Sequence, residues 1–470
     1  MKKIVVKFGG SNLRRPEDID RVADVVQTYN RPLVLVVSAF YGITNALIDC
    51  VQAARQGAGT ISALEESQDY TLALRALKKE ILEANIKDPA RRARTEAALN
   101  ARLDQLTRYL TGIHYIGDVP DFVNDAILSY GERLSSLLLA DVLQSRGINA
   151  REALPEDIGL VSDGVFGNAA CDFEASTGPV SQALSGDGVV VVPGFYGVSR
   201  EGKPTLFGRG GSDYSAASIA RCIGAESLDV WKDVDGFLSA DPGAVGKPHS
   251  IARLHYLEAA ELSYFGAKIL HPRTVEPIFD QGIPIRILNI TRPELGLYPF
   301  TVIDGERTVT HDVVKSVSSS DDVAILKLHG PGVGFKPGIL AEVTSALDRN
   351  GINIKSVLTA QTAINVLLAR DHLEAAYAAV AGHHIPGVVE VSRNDAVAIV
   401  AVVGDGVLDA SNVGSAIASR ALSAALAGGV RVTLAAAGAS EVAAYMLVDR
   451  NDRKLALQAI HDHFFGDGKS

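Results

Sequence analysis

The chain has 470 residues, 47% of them hydrophobic, and a formal net charge of -10. This length predicts two or three domains, and the acidic balance argues against nucleic acid or an anionic membrane as the main partner. Its three cysteines, Cys50, Cys171 and Cys222, have no paired spacing, which favours a reducing compartment and excludes a thiolate zinc site. The sequence has no run of about 20 apolar residues, so no membrane crossing is predicted and the cytoplasm is the expected location.

The first fifty residues predict a strand, a loop of small residues and a helix, twice in succession. Residues 2–8 form a short β-branched strand that ends at a Gly-Gly-Ser turn (9–11), and a helix begins near Pro16. Residues 33–37 form a second, fully apolar strand, as expected in a parallel sheet that is buried on both faces. A loop at 38–45 follows, with a helix directly after it. This alternation is typical of an α/β protein.

Long helices and short strands follow through the middle of the chain. Residues 61–111 are rich in Ala, Leu, Glu, Lys and Arg with helical spacing, which predicts two or more long helices outside the sheet. Residues 127–136 lead into another helix that ends near Gly147. Further strands are predicted at 150–154, 159–161, 188–193, 228–236 and 284–289, and a helix at 256–268.

A glycine-rich turn within residues 205–216 is the most informative stretch. Its three glycines let the backbone adopt positive φ and approach a ligand closely, and Ser212 and Asp213 before an apolar run predict a helix start. A glycine turn that opens onto a helix N-terminus is a natural anion site. An ordinary loop-to-helix junction has the same pattern, so the other loops decide between the two interpretations.

From about residue 298 the pattern changes to small alternating strands and helices. Two successive βαββαβ patterns, at about 323–392 and 396–465, predict a pair of ferredoxin-like α+β units, with 307–320 added to the second. A tandem of this kind favours ligand sensing over a second active site. A purely structural dimerisation module remains an alternative.

Four predicted loops follow apolar strands and are expected at one edge of the sheet, where open α/β sheets bind ligands. They combine cations, carboxylates and backbone N–H groups, without a Ser-His-Asp pattern, a cysteine nucleophile or a Walker loop. These loops contain Lys7 with Gly9, Gly10 and Ser11; Ser38 with Thr44 and Asn45; Glu132 with Arg133; and the stretch from Arg209 to Asp213.

These motifs occur together and in this order in one family. The chain resembles the aspartate kinases of the amino-acid kinase superfamily at residues 7–11, 37–45, 129–133, 208–214, 231–236 and 265–272 and at Asn289. Its C-terminal pair resembles the two ACT domains of that family. The resemblance implies a three-layer α/β/α sandwich with a mainly parallel sheet over residues 1–297, followed by a tandem ACT region over 298–470.

The reaction that the resemblance implies is ATP + L-aspartate → ADP + 4-phospho-L-aspartate, which feeds lysine, threonine and methionine biosynthesis. An aspartate side chain, with a pKa of about 3.9, is already ionised at neutral pH, so no general base is needed. The difficulty is to bring one anion up to a polyphosphate, which requires positioning and charge neutralisation. Mg²⁺ is expected mainly on phosphates and waters, and no protein ligand for a metal is predicted.

The resemblance also implies roles for individual residues. Lys7 is expected to stabilise the transferred phosphoryl group, and Asp213 to organise that lysine. Arg209 is expected on the α-carboxylate of aspartate and Glu132 on its ammonium. Further substrate contacts are expected from Thr44, Phe195 and Ser212. Contacts with ATP are expected from Lys7, Gly9, Gly10, Ser11, Lys232, Asp233 and Lys268.

The sequence departs from the family pattern at two informative positions. Lys232 replaces a threonine in the nucleotide turn. In the first ACT unit, Lys355 replaces an acidic residue of lysine-inhibited relatives, so a lysine effector would meet a like charge. An effector pocket is still expected at Gly338, Ile339 and Thr359, with lysine, threonine, both or neither as its ligand. Paired ACT units further predict a homodimer.

Two other functions remain alternatives at this stage. A different amino-acid kinase, acting on glutamate, N-acetylglutamate or a nucleotide, would share these loops, although Arg209 and Glu132 suit a free α-amino acid. A non-catalytic amino-acid sensor would need only the ACT units, and the intact set of charged loop residues argues against it. Taken alone, Lys268 is also typical of a solvated helix end, and Phe195 of core packing.

Overall fold

The computed structural model describes residues 2–56, 62–308, 313–407 and 414–466. Contacts divide the chain into two compact units. The first comprises Met1–Phe237, Ser250–Ala260 and Ile269–Glu306, and the second comprises Leu238–His249, Glu261–Lys268 and Arg307–Ser470. The domain boundaries given above remain predictions. Within the described part of the chain, no helix has both the length and the apolar character that crossing a bilayer requires.

The first unit is built on one large sheet and a small hairpin. Its strands are β1 (Ile4–Phe8), β2 (Leu33–Val37), β3 (Ala150–Glu152), β4 (Val189–Pro193), β5 (Tyr196–Val198), β6 (Pro204–Leu206), β7 (Leu228–Lys232), β8 (Arg253–His255), β9 (Ile285–Asn289) and β10 (Thr301–Asp304). Eight strands form a sheet of order β3-β4-β2-β1-β7-β9-β10-β8. Its pairings are parallel except for that of β9 with β10, which is antiparallel. Strands β5 and β6 form the hairpin.

Helices cover both faces of this sheet. They are α1 (Pro16–Tyr29), α2 (Ile43–Gln56), α3 (Ser62–Asn85), α4 (Pro89–Ile116), α5 (Asp121–Ser145), α6 (Pro155–Ile158), α7 (Phe173–Ala183), α8 (Gly211–Ile223) and α9 (Tyr256–Tyr264), the last residues of which belong to the second unit. Alternate residues of β1 and β2, such as Val6 and Leu35, join the core formed with α1 to α5. Helix α8 packs on the opposite face against β1 and β2. The predicted α/β/α layering with a mainly parallel sheet is therefore confirmed.

Two segments that carry site residues differ from the sequence prediction. Helix α2 begins at Ile43 rather than Ala46, so Thr44 lies in its first turn and not in a loop. Glu132 lies in the middle of the 25-residue helix α5, not in a loop after a strand. The reason is that Gly131 serves close packing rather than a turn, since a Cβ atom added there would lie 2.8 Å from the Cβ of Ala39.

The second unit contains two four-stranded antiparallel sheets. Its strands are β11 (Ser316–Ser320), β12 (Ala324–His329), β13 (Ile354–Ala360), β14 (Ala363–Leu368), β15 (Glu390–Asn394), β16 (Val397–Val403), β17 (Val432–Ala437) and β18 (Ala443–Asp449), and its helices are α10 (Ile339–Asp348), α11 (Leu373–Ala381), α12 (Gly414–Ala427) and α13 (Arg453–Phe465). The sheet orders are β13-β14-β12-β15 and β11-β16-β18-β17. Each sheet forms a separate core with its two helices. The prediction of two α+β units is confirmed.

Candidate active site

A cavity of about 610 Å³ opens in the first unit beside the carboxyl ends of β1, β2 and β4 and the N-terminus of α8. Parallel strands end at the same edge of a sheet, which is why sequence-distant loops meet there. The predicted site residues that line the cavity are Lys7, Gly10, Thr44, Glu132, Phe195, Arg209, Ser212 and Asp213.

One end of the site holds a cluster of three charged side chains, two of them buried and the third half-buried. Lys7 lies within the parallel sheet, opposite Val36 of β2 and Val230 of β7, and is 4% exposed. Asp213, in the first turn of α8, forms an ion pair with Lys7, and Lys232 Nζ at the end of β7 lies 3.9 Å from Asp213 Oδ2. A single carboxylate therefore lies between two ammonium groups, and the cluster carries net positive charge.

The pKa values in this cluster follow from burial and from the neighbouring charges. Burial raises the pKa of the Asp213 carboxyl, but the Lys7 and Lys232 ammonium groups outweigh it and hold that pKa at about 2. Burial lowers the pKa of Lys232, which Asp213 opposes and Lys7 reinforces. Asp213 is therefore ionised at neutral pH, and this end of the cavity suits polyanionic phosphate groups.

The glycine turn fixes the start of α8. The helix begins at Gly211, with Gly210 as N-cap at φ +74°, so Ser212 and Asp213 lie within its first turn rather than at the cap. A Cβ atom on Gly210 would lie 2.2 Å from Cγ of His271. Glycine is thus required by both backbone conformation and close packing, and the turn aims the first N–H groups of α8 at the site.

Glu132 provides a buried carboxylate elsewhere in the cavity. It is 3% exposed, and Ser212 Oγ donates a 3.4 Å hydrogen bond to its Oε1. Among the described residues, its Oε2 has no hydrogen-bond partner. Burial raises the pKa of Glu132 to about 8, although the Ala39 N–H, the Ser212 hydroxyl and the Lys7 ammonium oppose this. A buried carboxylate with one oxygen unfilled is suited to a ligand ammonium group.

Arg209 and Phe195 complete the wall of the cavity. Arg209 is exposed and forms no ion pair with any residue that the structure describes, so its guanidinium can meet a ligand anion. Phe195 has φ +77°, an unusual value for a residue other than glycine. Its carbonyl accepts a 2.8 Å hydrogen bond from Phe207 N, and a Cβ atom on Gly211 would lie 2.8 Å from its ring. A strained aromatic residue at a cavity wall favours a role in the site over core packing.

Several predicted nucleotide residues lie outside this cavity lining. The Gly9 N–H donates to Asn12 Oδ1 at 3.1 Å, so it is already occupied. Asp233 lies in the turn after β7, and its carboxylate is 3.8 Å from the guanidinium of Arg14. Lys268 is exposed and lies in the second unit, beyond the end of α9 at Tyr264 rather than on the predicted helix. The roles of these residues, and of Ser11, remain predictions.

The predicted effector residues lie on α10 and β13 of the second unit. Gly338 is the N-cap of α10 at φ +93°, and Ile339 is 4% exposed in the core beneath it. Thr359 is exposed on β13, an edge strand. Lys355 on the same strand has its Nζ 3.2 Å from Asp322 Oδ2. Its charge is therefore partly neutralised within the chain, and the effector roles of Gly338, Ile339 and Thr359 remain predictions.

Sequence reasoning missed Asp125, which also lines the cavity. This residue is 1% exposed, and its Oδ2 accepts 2.8 Å hydrogen bonds from Gly167 N and Leu206 N. It thereby ties α5 to the loop at Gly167 and to the end of β6. A signal was present, because Asp125, Leu128 and Glu132 have the i, i+3, i+7 spacing that places residues on one helix face. Recognising it required knowing that one helix begins before Asp125 and is unbroken through Glu132.

Known proteins with this architecture identify the family. A model of the amino acid kinase family matches residues 2–289, and an ACT-domain model matches residues 318–381. The chain belongs to the amino acid kinase family. It is 30% identical to aspartokinase 1, chloroplastic, of Arabidopsis thaliana over 480 residues, which cover 99% of this chain and 80% of that protein.

Two further relatives agree with this family assignment. A bifunctional aspartokinase/homoserine dehydrogenase of Haemophilus influenzae is 30% identical over 479 residues, and the match covers 99% of this chain but 57% of that longer protein. The crystal structure of E. coli aspartokinase III in complex with aspartate and ADP has a TM-score of 0.78 at 25% identity, covering 99% of this chain and 100% of that one. The predicted family, aspartate kinases with C-terminal ACT domains, is confirmed, and ATP use with it.

Proposed function

We propose that this chain transfers the γ-phosphoryl group of ATP to the side-chain carboxylate of L-aspartate, giving ADP and 4-phospho-L-aspartate. The observation that carries the proposal is the distribution of charge around one cavity. Lys7 lines one end of the cavity, and Lys232 lies beside the same Asp213 outside the lining, so this end is positive, whereas Glu132 and Arg209 offer a carboxylate and a guanidinium to a ligand. A free amino acid with a second carboxylate, beside a polyphosphate, has the complementary charges. The solved relative with aspartate and ADP supports this choice.

The substrate would be held by its α-ammonium and α-carboxylate groups. Its ammonium would bind the unfilled oxygen of Glu132, and its α-carboxylate would accept two N–H bonds from Arg209. The hydroxyls of Thr44 and Ser212 would add hydrogen bonds, and the ring of Phe195 would exclude water on one side. With the α-ammonium and the α-carboxylate both bound, the side-chain carboxylate is directed towards the phosphate end. This fixed orientation lowers the entropic cost of phosphoryl transfer.

Phosphoryl transfer would then proceed without a protein nucleophile or base. An oxygen of the ionised side-chain carboxylate forms a bond to the γ-phosphorus, and the bond to the bridging oxygen breaks, with its electron pair leaving on ADP. Lys7 and Lys232 would neutralise charge on the phosphoryl oxygens, and Asp213 would fix both lysines between turnovers. Removing one preorganised charge of this type typically costs about 10²- to 10³-fold in kcat.

Mg²⁺ would be held mainly by phosphate oxygens and water. No group of three or more His, Cys, Asp and Glu side chains in the described part of the chain is arranged to hold a metal. Asp213 is already committed to two lysines and Asp125 to two backbone N–H groups. The ion would supply neutralisation of the β- and γ-phosphates when bound. Gly10, with Gly9, Ser11 and Asp233, is proposed to contact the nucleotide.

The experiment that tests this function is ADP release from Mg-ATP with L-aspartate, compared with L-glutamate and N-acetylglutamate. We expect turnover with aspartate, and its loss in Lys7→Ala. Arg209→Ala should raise KM for aspartate and leave KM for ATP unchanged, because the two substrates occupy different ends of the cavity. Folded protein that binds ATP but releases no ADP with aspartate would refute the assignment.

We also propose that the second unit binds an amino-acid effector and joins two chains into a homodimer. The solved E. coli relative is also known in complex with lysine and aspartate. In this chain Lys355 disfavours a lysine side chain, although its pairing with Asp322 weakens that repulsion. Calorimetric titration with lysine, threonine and methionine, together with light scattering for mass, tests both points. Absence of heat up to millimolar concentrations, or a monomer mass, would refute the corresponding proposal.

A further inference from the structure

Lys78 is a buried lysine directly behind the active-site wall. It lies on α3, is 2% exposed, and has its Nζ 3.7 Å from the ring centroid of Phe40. Phe40 itself lines the cavity. Within the described chain, Lys78 Nζ has no hydrogen-bond partner and no ion pair within contact distance. Since burying an ammonium is costly unless another group compensates it, the position of Lys78 requires an electrostatic reason.

Glu132 supplies the compensating charge. Its Oε2 is likewise buried without a hydrogen-bond partner among the described residues. Burial lowers the pKa of Lys78 well below its usual range, and the Glu132 carboxylate opposes this shift. Burial acts on Glu132 in the opposite direction and raises its pKa. Because an electrostatic attraction is mutual, the Lys78 ammonium in turn favours the ionised form of Glu132.

Other groups around Glu132 also favour its ionised form. From neighbouring elements, β1 contributes the Lys7 ammonium, α8 the Ser212 hydroxyl, and the segment after β2 the Ala39 N–H. Lys7 is already paired with Asp213. Lys78 has no such partner in the part of the chain that the structure describes, so its charge acts mainly on Glu132.

We propose that Lys78 is a positioning residue for the substrate-ammonium site, supplying from behind Phe40 a positive charge that favours the ionised form of Glu132. The inference rests on the proposed function, because it assumes that Glu132 binds the ammonium of aspartate. Without this cation, a carboxyl group this deeply buried holds its proton to still higher pH. The neutral acid then pairs poorly with an ammonium group, so Lys78 extends aspartate binding to lower pH.

The test is Lys78→Met, with Lys79→Met as matched control. Lys79 is the next residue on α3, and its side chain is 63% exposed. Near pH 7 we expect Lys78→Met to raise KM for aspartate about tenfold, which corresponds to a pKa of Glu132 higher by about one. The acid limb of kcat/KM should move to higher pH, while kcat at saturating aspartate and KM for ATP change less than about twofold. Lys78→Arg should restore the profile, and Lys79→Met should match the wild type.

A second set of variants separates pairing from simple packing. In a Glu132→Gln background, Lys78→Met should have no further effect on KM. If Lys78→Met alone does not fold, Lys78→Met with Glu132→Gln should recover folding, because both buried charges are removed together. A normal pH profile in Lys78→Met, equal effects on both substrates, or an unfolded double variant would overturn the proposal.

Infrared titration distinguishes failure of this inference from failure of the proposed function. The carboxyl-stretch difference between wild type and Glu132→Gln reports the protonation of Glu132 without any substrate. In Lys78→Met, the same difference is taken against Lys78→Met with Glu132→Gln. A higher pKa of Glu132 in Lys78→Met would support the electrostatic link even if aspartate were not the substrate. An unchanged pKa would refute the link even if aspartate were phosphorylated normally.

Discussion

Replacing Asp213 with asparagine tests the charge cluster at the phosphate end. Asparagine preserves the shape of the side chain but leaves Lys7 and Lys232 without the carboxylate between them. Removing one partner of a buried ion pair typically costs about 3–5 kcal/mol. Because the side chain of Lys232 retains 16% exposure, water can screen part of the repulsion. We therefore expect the lower end of that range, about 3 kcal/mol in the free energy of unfolding of the first unit.

The pKa of Asp213 gives a consistent magnitude and the sign of the pH dependence. The pKa falls from an ordinary 3.8 to about 2 in the folded chain. A depressed carboxyl pKa contributes stability above the unfolded value, here about 2 to 3 kcal/mol, and this contribution is lost as pH falls from about 4 through 2. The Asp213→Asn variant should lack this part of the acid sensitivity, so its stability difference from wild type should shrink below pH 4.

Thermal unfolding of the full chain at pH 7.5 and at pH 3 measures both expectations. At neutral pH we expect Tm to fall by roughly 5 °C or more, with kcat reduced at least about tenfold because Lys7 loses its anchor. Asp104→Asn is the matched control, since Asp104 is 61% exposed and pairs with Arg75 at the surface; it should leave Tm unchanged. A Tm for Asp213→Asn equal to that of the control would refute the view that the carboxylate stabilises this cluster.

Four further predictions concern single positions. Gly210→Ala should lower Tm by several degrees and impair both substrates, because the new Cβ would lie 2.2 Å from His271 Cγ at φ +74°; wild-type Tm and kinetics would contradict it. Asp125→Asn should raise KM for aspartate, because its hydrogen bonds to the Gly167 loop and to the end of β6, worth about 1–3 kcal/mol, become weaker; steady-state kinetics should show little change in KM for ATP. The pH profile of kcat/KM for aspartate should rise about tenfold per pH unit up to about pH 8, where Glu132 is ionised, and then level off; a flat profile from pH 6 to 8 would exclude Glu132 as the ammonium site. Lys232→Met should lower kcat about tenfold to 10³-fold with KM for aspartate preserved, and unchanged turnover would show that Lys232 does not contact phosphate.

The strands were predictable because their sequences fit a single environment. Residues 33–37 and 189–192 are fully buried aliphatic runs, and a parallel sheet covered on both faces is the structure that such runs favour. The long helices α3 and α4 were predictable from composition, since few residues in that region interrupt a helix. Sheet order, by contrast, depends on pairings between residues far apart in sequence, which the residue pattern does not record, and the family resemblance implied only that the sheet is mainly parallel.

The position of Glu132 was the main failure of sequence reasoning. Its neighbours in sequence suggested a loop, yet the whole of 121–145 is one helix. The deciding contact is between Gly131 and Ala39, two residues separated by more than ninety positions. No local pattern records that approach. The same limit applies to Lys78. Its burial behind Phe40 depends on how helix α3 packs, and the sequence pattern predicts only that this segment is helical.

Successive residues of α8 connect the two ends of the site. Ser212 donates to Glu132, in the region proposed for the substrate ammonium, whereas Asp213 pairs with Lys7 at the phosphate end. Adjacent helical residues point about 100° apart, so one turn can serve both ends only if its start is fixed in rotation as well as in position. Gly210 and its contact with His271 provide that constraint. A substitution that rotates the turn must therefore disturb both substrates together, whereas loss of Arg209 or Lys232 should disturb only one.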